Sequence, residues 1–166
     1  MFAKKPLVTY AAAFDYACRL LGGQARSVQE LHGRLRRRDT PAEIIAQVET
    51  ELTRLGYLDD AEYARAWVAS HPGWGPTRWR QGLRTKGITE SLAEDAIATG
   101  LSTRDELSAA WQVAQKAVRT RSLPLDASDL LRVRRLLLRR GYAYAVIAQV
   151  CAQLAAQSAV EGEWLD

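Results

Sequence analysis

The sequence is short of almost everything that enzymes and membrane proteins need. Its two cysteines, Cys18 and Cys151, stand far apart and form no C-x-x-C pair. They are expected to be reduced core residues, which suits a reducing cytoplasm. Its two histidines, His32 and His71, offer no zinc spacing and no series of nucleophile, base and orienting group. No lysine is followed by serine or threonine, which excludes a Walker A phosphate loop, and there is no G-x-G-x-x-G. No apolar signal core follows Lys4 and Lys5, and no window approaches the roughly 18 apolar residues of a membrane span. Adjacent Asp59 and Asp60 suit a helix cap better than an acid–base pair. Catalysis, cofactor, metal, export and membrane insertion are all therefore unexpected.

Strand signals are missing too. There is no sustained alternation of apolar and polar residues, whereas apolar residues three and four apart run through most of the 166-residue chain. The composition is that of a globular protein, 48% hydrophobic and 25% charged. Breaks fall at Gly22-Gly23, Thr40-Pro41, Gly56, His71 to Pro76, Gly87, Gly100, Ser122-Leu123-Pro124 and Gly141. They leave segments of helix length. Ser27 with Glu30 forms a capping-box pair, Asp59 or Asp60 can cap a helix starting near Ala61, and Pro41 and Pro76 fit first helical positions.

The breaks follow an internal repeat. Leu35-Arg-Arg-Arg-Asp39, Leu83-Arg-Thr-Lys-Gly87 and Leu137-Leu-Arg-Arg-Gly141 superimpose at intervals of 48 and 54 residues. Four residues upstream lie Leu31, Trp79 and Val133, nine downstream Ile44, Leu92 and Val146, and thirteen downstream Val48, Ala96 and Val150. The pattern predicts an all-α protein of three tandem three-helix repeats in an elongated, curved array. The predicted boundaries are an N-terminal extension 1–9, repeats 10–58, 59–101 and 102–158, and an acidic tail 159–166. Helices this short must pack within a repeat and against its neighbour.

Charge is segregated in the same register. Windows 26–38, 76–88 and 130–142, the second helix of each repeat, hold 14 of the 23 basic residues but only one acidic residue, Glu30. Arginine outnumbers lysine 19 to 4, which favours phosphate or carboxylate partners because the planar guanidinium makes two parallel hydrogen bonds. A structural surface has no reason to carry such self-repulsion three times, so these helices are expected to bind. The candidate contacts are Arg34, Arg37 and Arg38; then Trp74, Arg78, Arg80, Gln81, Arg84 and Lys86; then Arg132, Arg135, Arg139 and Arg140. Trp79 and Leu83 are expected inward, with Arg78 among the residues turned to a partner. Trp74 suits a stacking platform for a base, a hot-spot anchor for a protein, or burial over its own turn.

Several strings resemble one family. Gly56-Tyr57-Leu58-Asp59-Asp60, Glu62-Tyr63-Ala64-Arg65, Gly73-Trp74-Gly75-Pro76-Thr77-Arg78-Trp79-Arg80-Gln81, Lys86-Gly87-Ile88 and Leu136 to Tyr142 are similar, in this order, to the RecX regulators of bacterial recombination. The resemblance covers about residues 11–156. It implies three-helix repeats lying along the groove of the RecA filament on single-stranded DNA and inhibiting RecA's ATPase, strand exchange and coprotease activities. It also implies a cytoplasmic protein with no cofactor. Asp39 departs from the pattern, standing where the family commonly turns through glycine. Nothing suggests an obligate dimer, so a monomer is expected. The alternative is direct DNA binding with one second helix as a recognition helix. Against it, the three basic helices look alike and carry little Asn or Gln for reading bases.

Overall fold

In this computed structural model the structure describes residues 6–120 and 125–163, and side chains as far as residue 157. Lys4 and Lys5, the break at Ser122-Leu123-Pro124, and the side chains of the acidic tail, Glu161, Glu163 and Asp166 among them, lie outside the described residues. Among the described residues there are nine helices and no strand: α1 Tyr10–Gly23, α2 Val28–Arg36, α3 Ala42–Arg54, α4 Asp60–Ala69, α5 Pro76–Thr85, α6 Glu90–Ser102, α7 Glu106–Val118, α8 Ala127–Arg139 and α9 Tyr144–Glu163.

Local chemistry fixes the helix starts. The Ser27 hydroxyl accepts from the Glu30 N–H while Glu30 reaches back to the Ser27 N–H, so the expected capping box is present. At α4 it is Asp59 that caps, accepting from the N–H groups of Ala61 and Glu62, both at 2.9 Å. Asp60 instead accepts from the N–H of Val28, at the start of α2. Asp105 and Asp126 cap α7 and α8. Pro76 is the first residue of α5, as expected, whereas Pro41 sits one position earlier than expected, as the residue before α3. With φ already near the helical value it enters the helix just as easily there.

The second helices α2, α5 and α8 end identically. Thr40, Ile88 and Tyr142 each donate an N–H to the carbonyl of Leu35, Leu83 and Leu137, five residues back, at 3.3, 3.1 and 3.2 Å. This is the Schellman closure, and it requires a left-handed residue in between. Gly87 and Gly141 adopt φ of +77° and +82°, and Asp39 adopts +54°.

The chain forms two compact units, Met1–Trp67 with Leu83–Ala93 and Val68–Gly82 with Glu94–Asp166, whose boundaries fall inside α4, α5 and α6. The first unit's core comprises Leu7, Ala13, Ala17, Leu31, Leu35, Ile45, Val48, Leu52 and Leu58. The second unit holds a core of Ala110, Ala114, Val133, Leu137, Tyr142, Ile147, Val150 and Leu154. Cys18 and Cys151 are unpaired thiols half-buried against these cores.

The register residues Leu31, Trp79 and Val133, and Leu35, Leu83 and Leu137, are buried as expected. Ile44, Leu92 and Val146 are only half-buried, and the following residues Ile45, Ala93 and Ile147 take the core. Spacings of three and four from Ile45 reach Val48 and Leu52, so Ile44 falls at the edge of the apolar stripe.

Candidate functional site

The basic second helices are bound into each unit along one side and open on the other. In the first unit, Lys86 at the end of α5 donates to Glu30 of α2 at 2.7 Å, and the Tyr63 hydroxyl donates to the same carboxylate at 3.1 Å. The Ser27 hydroxyl donates to the Lys86 carbonyl at 2.6 Å. Burial would raise the pKa of Glu30, but hydrogen bonds from Lys86, the Ser27 N–H and Tyr63 outweigh it and hold the carboxyl below its ordinary range. Burial, then the Glu30 charge, pushes the Tyr63 phenol up to about 12. Burial raises Asp60 as well, more than the Val28 N–H lowers it.

In the second unit the turn Gly73-Trp74-Gly75-Pro76 meets the turn after α8. Gly75 donates its N–H to the Arg140 carbonyl at 2.7 Å and Thr77 to the Gly141 carbonyl at 3.2 Å. Arg140 reaches back to the Gly73 carbonyl, and Arg78 donates to the Arg139 carbonyl at 2.7 Å. The Arg78 guanidinium also lies 4.2 Å from the centre of the Trp74 ring, and the His71 ring is 4.2 Å from that ring too. Half-buried Trp74 is thus packed over its own turn.

The thirteen candidates therefore fall into two groups. Arg38 lies 4.8 Å over Tyr16, Arg80 pairs with Glu94, and Arg78, Arg140, Lys86 and Trp74 are engaged as described. Arg132 has only a long contact of 3.9 Å with Asp129. Arg34, Arg37, Arg84, Arg135 and Arg139 are exposed and have no carboxylate partner among the described residues, and Gln81 is exposed beside them. Arg78, expected to face a partner, instead closes contacts inside its own unit, because the short turn before α5 folds Trp74 under it.

Arg36 was not among the candidates although it is exposed and has no carboxylate partner among the described residues, and its register with Arg84, 48 residues on, was the signal available. Arg104 escaped as well. It donates to the carbonyls of Pro72 and Trp74 and lies 4.4 Å over the Trp79 ring, and nothing in its loop sequence announces this. Trp79 itself is buried and donates its indole N–H to the His71 carbonyl at 3.1 Å. Among the described residues no three His, Cys, Asp or Glu side chains gather to hold a metal, and no helix is long and apolar enough to cross a membrane.

Comparison with known proteins identifies two segments of the chain. Residues 13–52 match the model of the first three-helix domain of RecX, and residues 59–97 that of the second. The protein described as regulatory protein RecX of Mycobacterium avium is 35% identical over 144 residues, covering 84% of this chain and 83% of the relative. Its counterpart in Lacticaseibacillus paracasei is 30% identical over 92% of this chain, which spans 65% of that relative's length. The fold is similar to the crystal structure of RecX from Lactobacillus salivarius, with a TM-score of 0.74 and 23% identity over 87% of this chain and 96% of that one.

Proposed function

The chain belongs to the RecX family of regulatory proteins, and we propose that it binds the RecA filament on single-stranded DNA and restrains it. Binding lowers RecA's ATPase, strand exchange and coprotease activity, and so modulates recombination, DNA repair and the SOS response in the cytoplasm. The chain acts as a monomer and without chemistry of its own.

The observation that carries this reading is the recurrence, at repeat spacing, of exposed arginines without carboxylate partners among the described residues. Arg36 and Arg84 occupy one register position, and Arg37 and Arg139 another. Desolvating them is worthwhile only against phosphate or carboxylate. Contacts repeated along one chain suit a partner that itself repeats, since each additional contact is made at high effective concentration. Direct reading of bases by one helix is less well supported, because the exposed faces of the three basic helices carry few side-chain amides, with Gln81 the one among the candidate contacts.

The test is RecA's DNA-dependent ATPase, measured as this chain is titrated to stoichiometry with RecA, beside binding to bare single-stranded DNA over a salt series. ATP turnover is expected to fall as the chain saturates the filament. Unchanged turnover at stoichiometric protein would sink the proposal.

A further inference from the structure

The three basic helices share their charge but not their solvent faces. On α8 the positions opposite buried Val133 and Leu137 are Leu131 and Leu138, which are 44% and 37% exposed. Residues seven apart lie on one face of a helix, and Arg135 falls between them, one turn from Leu131. Tyr144, the first residue of α9, is 65% exposed and is held beside this face by the Arg134 guanidinium, 5.5 Å from its ring centre. Arg135 and Arg139 are exposed and meet no carboxylate among the described residues. The acids of α8 sit at its start, where Asp126 caps the helix and Asp129 lies near Arg132.

The equivalent positions of the other second helices are polar: Thr77 and Arg84 in α5, Gln29 and Arg36 in α2. A phosphate backbone gives two leucines and a tyrosine nothing to bury against. Protein interfaces are enriched in this mixture of apolar, tyrosine and arginine side chains, whose burial together gives the strongest anchors.

We propose that the outer face of α8, with Tyr144, docks an acidic and apolar segment of a partner protein. Carboxylates of that segment meet Arg135 and Arg139, and its apolar side chains cover Leu131, Leu138 and Tyr144. The inference rests on the filament reading and divides the work within it: α8 grips the protein of the filament, while the polar faces of α2 and α5 are left to nucleic-acid phosphate.

Two variants test it, Leu131→Ser with Leu138→Ser, and Arg135→Glu with Arg139→Glu, each checked for unchanged helical content. Their affinities are measured for RecA assembled on single-stranded DNA with a non-hydrolysable ATP analogue, and for the same DNA bare, over a salt series. The serine pair is expected to weaken filament binding at least about tenfold with its salt dependence unaltered, because apolar anchors release no counterions. The glutamate pair is expected to weaken it and flatten the salt dependence. Bare DNA binding should not respond to the serine pair. Unchanged filament affinity of the serine pair, or an equal loss on bare DNA, would overturn the inference while leaving the filament reading standing. A wild-type chain that does not bind the filament at all removes both.

Discussion

Asp39 is the one residue other than glycine with positive φ among the described residues. Its neighbours in register, Gly87 and Gly141, show what the turn prefers. A side chain at such a φ costs about 1–2 kcal/mol, less for aspartate, and glycine gives back roughly 0.5–1 kcal/mol in unfolded-chain entropy. Asp39→Gly is therefore expected to raise unfolding stability by under about 1 kcal/mol in chemical denaturation. No gain would mean that Asp39 is held by something beyond the helix closure. The break was legible at Thr40-Pro41, but the left-handed position only through the repeat, since Arg-Arg-Arg-Asp-Thr carries no glycine to mark it. Glu30 gives a second residue-level prediction. Its folded-state pKa lies below the ordinary value of 4.5, so the stability it contributes is complete above about pH 4.5 and is lost as pH falls through the lower folded value. Asp60, with its pKa raised, works in the opposite sense. Glu30→Gln should lower the melting temperature at pH 7, by the equivalent of about 1 kcal/mol for this partly exposed pair, and the gap to wild type should narrow as pH falls below 4.5. A gap that does not change with pH would remove Lys86–Glu30 as its cause.

Among the elements, helix existence and most caps were readable from period and cap chemistry, but the joints between repeats were not. In each joint the start of one second helix rests on the turn that ends the next. Ser27 donates to the Lys86 carbonyl in the first unit, and Gly75 to the Arg140 carbonyl in the second. The donors are 48 residues apart and the acceptors 54, so the joint repeats with the sequence. The Leu7 N–H, ahead of α1, donates to the Arg38 carbonyl at 2.9 Å, the equivalent acceptor in the turn after α2. Backbone carries the second joint, and backbone has no side-chain signature. A Cβ at Gly75 would sit on the Gly141 carbonyl, and one at Gly141 would meet the Arg78 backbone. Gly75→Ala is thus expected to destabilise by about 2–3 kcal/mol, well beyond a surface change, as seen in its thermal melt. By contrast, a Cβ at Gly22 meets nothing within 4 Å, and Gly22→Ala in α1 should be neutral or slightly stabilising. Equal effects at the two sites would mean that the joint is not closely packed.

For the whole molecule, the sequence shows how much basic charge there is and in which helices, but not which of it is already spent. Glu94 lies 14 residues from Arg80 and Glu30 lies 56 from Lys86, so pairing emerges only once the chain is folded. Arg78 and Arg84 looked equivalent in the sequence, as two basic residues of one helix. Folded, Arg78 stacks on Trp74 and bonds the Arg139 carbonyl, while Arg84 is exposed and has no carboxylate partner among the described residues. Reversing Arg78 therefore tests folding and binding at once. Arg36→Glu with Arg84→Glu isolates binding, because both side chains are exposed, without carboxylate partners among the described residues, and surface changes of this kind move stability by about 0.5 kcal/mol or less. The double reversal is expected to leave the melting temperature within a few degrees of wild type while weakening inhibition of RecA's ATPase. If both arginines meet single-stranded DNA phosphate, the slope of log affinity against log salt should also become shallower by about 1.4. Arg78→Glu should instead lower the melting temperature first. Inhibition that survives reversal of Arg36 and Arg84 would mean that their shared register position does not face the filament, and that contact is carried elsewhere on the basic helices.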